Sequence, residues 1–319
     1  EASRELRHRV DAVQQLSDTF GRVHRDLRIS VTDRCNFRCT YCMPAEGMEW
    51  LPRGEVLSFE EIERLASLLV QRYGFGSIRL TGGEPTVRAR LPRLVERLSR
   101  LGVDLSLTTN GATLSLLASA LADAGLARIN VSLDTLRSDR FVEMTRRDSF
   151  DAVIDGIRSA KLAGLDPVKI NVVAMAGVND DELVDFARFG RTEGVEVRFI
   201  EFMPLDADGA WQRSAVLSQA DIVARIDEVY PLVAIPKGNA PAERFAFADG
   251  GGAPGGTHIG VIASVTQPFC ATCDRVRLTA DGKLRNCLFS ADETDLRALL
   301  RAGAGDDEVA AAIEGCVED

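Results

Sequence analysis

Six of the seven cysteines in this 319-residue chain fall into two triplets. Cys35, Cys39 and Cys42 are spaced C-x3-C-x2-C near the start, and Cys270, Cys273 and Cys287 are spaced C-x2-C-x13-C near the end. Whatever fold the chain adopts must hold two such centres. Zinc is the bland reading of a C-x2-C pair, but a structural zinc site takes four protein ligands. No fourth Cys or His accompanies the first triplet; His24 lies 11 residues before Cys35, beyond a strand. A cubane iron–sulfur cluster is softer and works with three thiolates, leaving one iron open to a ligand that is not protein. That is the arrangement of a reactive cluster rather than of an electron carrier. Cys316, the odd one out, reads as a bystander thiol of a C-terminal helix.

Bulk properties narrow the class. The length fits one large domain, or one domain with an appendage, and can bury a core without staples. Hydrophobic residues make up 45% and charged residues 27%, ordinary for a globular protein. The net charge of −10 argues against a general nucleic-acid binder, so any phosphate recognition must be local. No apolar run reaches 18 residues and no signal-peptide pattern stands at the start, which predicts a cytoplasmic protein without a membrane span. The first residue is Glu, so a segment upstream stays open. Clustered cysteines in such a chain are metal ligands before they are disulfides.

Residues 1–20 are polar and read as a helical or loose N-terminal arm. A β-then-α rhythm follows. Strand-like runs lie at 27–32, 77–81, 104–108, 128–133, 168–175 and 195–203. Helical stretches lie between them, near 58–72, 91–101, 113–124, 151–163 and 180–192. Ser58 with Glu61 makes a capping box, and Asn179 with Glu182 repeats its logic. Six β-α units imply a parallel sheet with right-handed crossovers. Six are too few to close an eight-stranded barrel, so an α/β fold with a partial (βα)6 TIM-like barrel over 21–210 is predicted. Its active site belongs in the loops at the C-terminal strand ends, where the first cysteine loop, Gly82–Pro85, 108–111, Ser132 with Asp134, and Met203 fall. Beyond 210 the rhythm breaks into a helix near 218–230, Gly- and Pro-rich sequence, and short strands. Asp281-Gly282 signals a type I′ hairpin joining 275–279 to 283–287, and 292–314 read as two short helices. Residues 211–319 are expected to form a smaller α+β cap carrying the second cluster.

The motifs carry a resemblance. The loop C-x3-C-x2-C with Tyr41 before its last cysteine, and GGEP at 82–85, resemble the radical S-adenosylmethionine (SAM) superfamily. The closer resemblance is to the GTP 3′,8-cyclases of molybdenum cofactor biosynthesis. It rests on RISVTDRCNFRCTYCMP at 28–44, IRLTGGEP at 78–85, TTNG at 108–111 and NVSLD at 130–134. KIN at 169–171, RFIEFMP at 198–204 and CATCDRVR at 270–277 with Cys287 extend it from about residue 20 to the end. The resemblance implies a partial barrel, two [4Fe-4S] clusters and SAM. One electron cleaves SAM to a 5′-deoxyadenosyl radical, which takes hydrogen from C3′ of GTP. The C3′ radical then attacks C8, giving 3′,8-cyclo-7,8-dihydro-GTP for a downstream cyclic pyranopterin monophosphate synthase.

By the same resemblance Cys35, Cys39 and Cys42 hold the first cluster, and Cys270, Cys273 and Cys287 the second, whose open iron contacts guanine. Tyr41, Gly83, Ser132 and Met203 contact SAM. Arg28, Arg79, Thr108, Lys169 and the run Arg275, Val276 and Arg277 contact GTP, with Arg198 a further candidate. The cations make independent sense: Arg gives forked bonds to phosphate, Lys a point charge, and both are placed near rim-facing strand ends. Each has a bland alternative: Arg and Lys are usually solvated, a strand-end hydroxyl often caps a helix, and Met is more often core. His8, His24 and His258 show no carboxylate or Cys partner in register and are assigned nothing. An electron donor is implied, a homodimer is allowed, and no nucleic acid or membrane is expected as partner. A peptide-modifying radical enzyme with an auxiliary cluster is the rival, though such enzymes carry a longer cysteine-rich extension. Family members usually end in Gly-Gly, whereas this sequence ends Gly315-Cys-Val-Glu-Asp319.

Overall fold

The computed structural model describes residues 14–205, 209, 211–236, 238, 240–251 and 257–318. Six strands follow one another as parallel neighbours: β1 (Asp26–Ser30), β2 (Ser77–Thr81), β3 (Asp104–Thr109), β4 (Arg128–Ser132), β5 (Val168–Ala174) and β6 (Glu196–Glu201). The helices between them are α1 (Phe59–Tyr73), α2 (Leu91–Ser99), α3 (Leu114–Asp123), α4 (Ser138–Thr145), α5 (Phe150–Leu162) and α6 (Leu183–Glu193). The rhythm read from the sequence is therefore the rhythm of the fold, with α4 added. That helix is too short for its period to stand out, yet it buries Phe141 and Met144.

The C-terminal segment builds into the same sheet. It supplies α7 (Gln219–Asp227), β7 (Leu232–Ile235), β8 (Glu243–Phe247), β9 (His258–Ile262), β10 (Arg275–Leu278), β11 (Lys283–Arg285), β12 (Thr294–Asp295), α8 (Leu296–Arg301) and α9 (Asp306–Glu318). The sheet runs β12-β11-β10-β1-β2-β3-β4-β5-β6-β9-β8-β7. β10 pairs parallel with β1 and β9 parallel with β6, so the parallel row is extended at both edges.

Alternation along these strands decides what the sheet encloses, because successive side chains take opposite faces. Leu27, Ile29, Ile78, Leu80, Ile129, Ile170, Val197, Ile259 and Val276 are buried in the core under the helices. Their neighbours Arg28, Arg79, Arg128, Lys169, Glu196, Arg198, His258, Arg275 and Arg277 occupy the other face. A barrel interior is usually packed with branched apolar side chains; here that face is polar.

α1 buries Ile62, Leu65, Ala66, Leu69 and Tyr73, the spacing of one helix face. Its capping box is formed: Glu61 N–H donates to Ser58 Oγ at 3.1 Å, and Ser58 N–H to Glu61 Oε2 at 2.7 Å. Ser58→Ala is expected to cost about 1 kcal/mol, read as a lower urea midpoint at unchanged slope.

Three local expectations need correction. Asn179 does not cap the next helix; its amide donates to the carbonyls of Asp134 and Val173, and its Oδ1 accepts from Met175 N–H at 2.8 Å. Glu182 is equally diverted, accepting from Thr135 Oγ1 and Leu136 N–H. Both side chains fasten the loop after β4 to the loop after β5. The Asp281-Gly282 hairpin exists, but only Gly282 has positive φ, at 81°, and its N–H donates to Thr279 O. A type I turn ending in a left-handed glycine meets this geometry, whereas type I′ needs positive φ at two residues. His24 is buried and does have a carboxylate neighbour, with Nε2 3.3 Å from Asp18 Oδ2. The arm expected over 1–20 lies outside the described residues up to 13; from there the chain is tied down, with Leu16 in the core and Gln14 N–H bonded to Arg72 O. His8 lies outside the described residues.

Candidate active site

Loops at the C-terminal ends of β1 to β5 converge on the first cysteine triad. Gly83 N–H donates to Thr32 O and Glu84 N–H to Arg34 O, both at 2.8 Å, so the GGEP backbone lies against the backbone that leads into Cys35. A Cβ on Gly83 would be driven into the carbonyls of Asp33 and Arg34, and one on Gly82 into Thr32 O. Glycine is required by this close approach. Glu84, fully buried, accepts from Thr86 N–H, Thr86 Oγ1, Thr109 Oγ1 and Asn110 N–H, joining the β2 loop to the β3 loop. Tyr41 donates its hydroxyl to Asp134 Oδ2 at 2.5 Å, and Asp134 also accepts from Val173 N–H. The cysteine loop is thereby pinned to β4 and β5. Sequence reasoning assigned no role to Glu84 or Asp134; a carboxylate directly after Gly-Gly or at a strand end was the signal.

The three thiols of this triad are free, and their charges would act on one another. Burial pushes the Cys35, Cys39 and Cys42 thiols up, so alone they stay protonated at neutral pH. Only a strongly electropositive centre draws three thiolates out of such a place. The donor set therefore fits a metal cluster. Among the described residues no three or more His, Cys, Asp or Glu side chains converge on the point a single ion would occupy. A cubane puts each thiolate on a different iron and does not ask for that convergence.

The second triad gathers at the other end of the barrel. Cys270 and Cys273 precede β10, which is parallel to β1, and Cys287 follows β11, which is antiparallel to β10. All three therefore lie at the N-terminal strand ends and line a cavity of about 830 Å³. Arg28, Arg79, Lys169, Arg198, Arg275, Arg277 and Met203 line it too. This corrects the expectation that these cations sit at the rim holding the first triad: Arg28 and Arg79 are the third residues of their strands, Lys169 the second and Arg275 the first. Only Met203, beyond the end of β6, is on the rim side. The register sets Arg277, Arg28, Arg79, Ser106 and Arg128 in one row across five neighbouring strands.

Other predicted residues fall elsewhere. Val276 is buried on the opposite face of β10, so only its backbone can reach the cavity. Thr108 accepts from Asn130 Nδ2 at 3.3 Å, and it, Ser132, Gly83 and Tyr41 are outside the cavity lining.

Crowding of like charge shows in the cavity's electrostatics. Burial brings Arg79 down to about 9 and Arg277 to about 10, with Arg28 next to each adding to the effect. Lys169 comes down to about 8, through burial and then Arg198. Against burial, Arg198 and Lys169 hold Glu196 below the usual carboxylate range. Among the described residues, Arg28 Nε is buried with no hydrogen-bond partner. Such a cavity is built to receive a polyanion, whose charge relieves the repulsion. Arg275 stacks over Phe269, 4.7 Å from the ring centre, with Nε 3.2 Å from Cys273 Sγ. Arg128, Glu196, Arg244 and His258 also line the cavity and were missed. The alternation Glu196-Val197-Arg198 was a readable sign; the others need the register to be seen.

Residues 29–190 match the Radical SAM superfamily and residues 195–319 match Molybdenum Cofactor Synthesis C. The chain is 50% identical over 301 residues to a GTP 3′,8-cyclase of Streptomyces coelicolor, covering 92% of this chain and 86% of that one. This chain belongs to the GTP 3′,8-cyclase family of radical SAM enzymes. A GTP 3′,8-cyclase 2 of Mycobacterium tuberculosis is 49% identical over 307 residues, covering 95% and 85%. Among solved structures, Streptococcus suis SuiB bound to S-adenosylmethionine aligns with TM-score 0.62 at 15% identity, over 89% of this chain and 67% of that one. Methylornithine synthase (PylB) aligns with TM-score 0.57 at 18% identity, over 91% and 86%. These two share the fold, a partial TIM barrel. The cofactors of the GTP 3′,8-cyclase family, [4Fe-4S] clusters and SAM, agree with the donor set at the first triad. Among the described residues no helix is long and apolar enough to cross a membrane.

Proposed function

We propose that this chain converts GTP to 3′,8-cyclo-7,8-dihydro-GTP, with SAM at the Cys35–Cys39–Cys42 end and GTP in the cation-lined cavity. The observation that carries this reading is the two-ended barrel: thiol triads at opposite strand ends, with a row of arginines in between. With cluster and SAM bound, the first end supplies a 5′-deoxyadenosyl radical able to take a hydrogen atom from ribose. The chain's own residues do the rest. Tyr41, held by Asp134, and Gly83, held against Asp33 and Arg34, fix the cysteine loop. Ser132 and Met203 border the same end of the barrel. Arg28, Arg79 and Lys169 anchor the triphosphate, with Arg198 beside them. Cys270, Cys273 and Cys287 hold the second cluster, beside which Arg275 and Arg277 bind GTP and the guanine sits. The Val276 backbone is a further GTP contact, while Thr108, two residues beyond Ser106 on β3, stands past the cavity lining. The ribose is thus suspended between the ends, C3′ toward the radical source. Hydrogen leaves C3′, a C3′–C8 bond forms, and an external reductant returns one electron with a proton, so the product is an isomer of GTP. A downstream synthase consumes it.

Anaerobic reconstitution, followed by incubation with GTP, SAM and dithionite, tests this by mass analysis. Deoxyadenosine together with a GTP isomer is expected; deoxyadenosine without any change in GTP sinks the substrate assignment. In Arg277→Ala, deoxyadenosine should persist while GTP conversion falls at least about 10-fold, the worth of one charge-assisted bond. Undiminished conversion by that variant removes Arg277 from the site.

A further inference from the structure

The cationic lining does not end with the residues placed on GTP above. At the β6 edge of the parallel row, Lys169 and Glu196 stand in register on β5 and β6, His258 directly precedes Ile259, the β9 partner of Val197, and Arg198, Gly260 and Arg244 stand in register on β6, β9 and β8. Glu196 is the carboxylate of this group and takes Arg198 tightly, Nε to Oε1 at 2.6 Å. Lys169 Nζ is 3.5 Å from its Oε2, and Arg244 Nη2 is 3.8 Å away. Three cations thus share one carboxylate, and Arg244 is the most loosely held. Among the described residues its buried Nε has no hydrogen-bond partner, and neither has Thr257 Oγ1; both residues line the cavity. Arg244 Nη2 lies 3.2 Å from His258 Nδ1, and since a guanidinium only donates, Nδ1 is the acceptor and Nε2 carries the ring's proton. Burial and then Arg244 lower His258, which favours the neutral ring. Unsatisfied buried donors are costly unless a ligand completes them.

We infer that Arg244, Thr257 and His258 form the subsite for the terminal phosphate of the substrate, and that they make the cavity select a triphosphate over shorter phosphate tails. The inference rests on the GTP reading above, which sets guanine beside the triad next to β10. β9 closes the opposite edge of the row of eight parallel strands, with β8 beyond it. The tail of a nucleotide seated at the triad runs away from β10, and its last phosphate reaches these donors. Arg244 supplies a planar fork, Thr257 a hydroxyl and His258 an N–H, a set suited to a tetrahedral oxyanion. Gly260 keeps the floor low: a Cβ there would stand 3.0 Å from Arg198 Cγ.

Equilibrium dialysis on the reconstituted holoenzyme tests this without turnover, using GTP, GDP, GMP and inorganic tripolyphosphate. Arg244→Ala should weaken GTP by about 10- to 100-fold, the range for a lost charged hydrogen bond. GDP and GMP should move by no more than about 2-fold. Thr257→Val should repeat the pattern more weakly, and it keeps the test alive if Arg244→Ala is unstable. Equal losses for all three nucleotides, or none for GTP, overturn the subsite. Arg244-dependent binding of tripolyphosphate that no guanine nucleotide displaces would uphold the subsite and sink the GTP reading. Arg244-independent binding of GTP would do the reverse.

Discussion

Cys39→Ala is expected to yield a folded protein that forms no deoxyadenosine at all and carries about half the iron of the parent, because on the proposed assignment one of two three-thiolate clusters is lost. Cys39 is the middle cysteine of its loop, and its carbonyl accepts from both Cys42 N–H and Met43 N–H. Those backbone bonds survive the substitution, as do the Tyr41–Asp134 bond and the GGEP contacts that hold the loop from outside. The fold should therefore tolerate the change while the chemistry does not. Iron and sulfide counts, deoxyadenosine by chromatography and a thermal melt check the three parts. Deoxyadenosine from this variant would refute the assignment of the first cluster. The same substitution at Cys316 should leave iron and turnover alone: that thiol belongs to α9 and lies near Leu284 O, 3.5 Å away.

Much of this was legible because short-range chemistry writes itself into sequence. The six strands and five of the helices announce themselves by period, and Ser58 and Glu61 cap α1 as their spacing demands. The departures share a cause: a side chain with a local partner on offer took a better one across the sheet. Asn179 and Glu182 read as a cap, yet each finds carbonyls or N–H groups that the β4–β5 pairing brings within reach. Arg128, Glu196, Arg244 and His258 come from four separate strands, and only the pairing of the sheet, parallel as far as β9 and antiparallel from β9 to β8, gathers them round one cavity. The two-ended character of the site was hidden likewise. Nothing near Cys270 says that β10 runs parallel to β1, yet that pairing alone sends the second triad to the end opposite the first. Even so, the Arg-Ile, Arg-Leu, Lys-Ile and Arg-Val pairs of β1, β2, β5 and β10 spell out a charged inner face over an apolar outer one.

Gly83→Ala should do damage out of proportion to one methyl group. The added methyl meets main-chain carbonyls of Asp33 and Arg34 rather than the end of a flexible side chain. Those carbonyls cannot swing aside without breaking Gly83 N–H to Thr32 O and Glu84 N–H to Arg34 O. Overpacking of this kind costs about 1–3 kcal/mol, and here it acts on the two residues that immediately precede Cys35. Stability should therefore fall by that amount while deoxyadenosine formation falls much further, since a displaced Cys35 misplaces the cluster. Gly76, two residues before Ile78 of β2, is the control: a Cβ there meets nothing within 4 Å, and Gly76→Ala should leave both quantities close to the parent. Melting temperature and deoxyadenosine rate, measured on the two variants together, separate steric damage at the loop contact from a general dislike of alanine near β2. Equal behaviour of the two would mean that the GGEP and cysteine loops can part without consequence, and the close approach would then be no more than a packing detail.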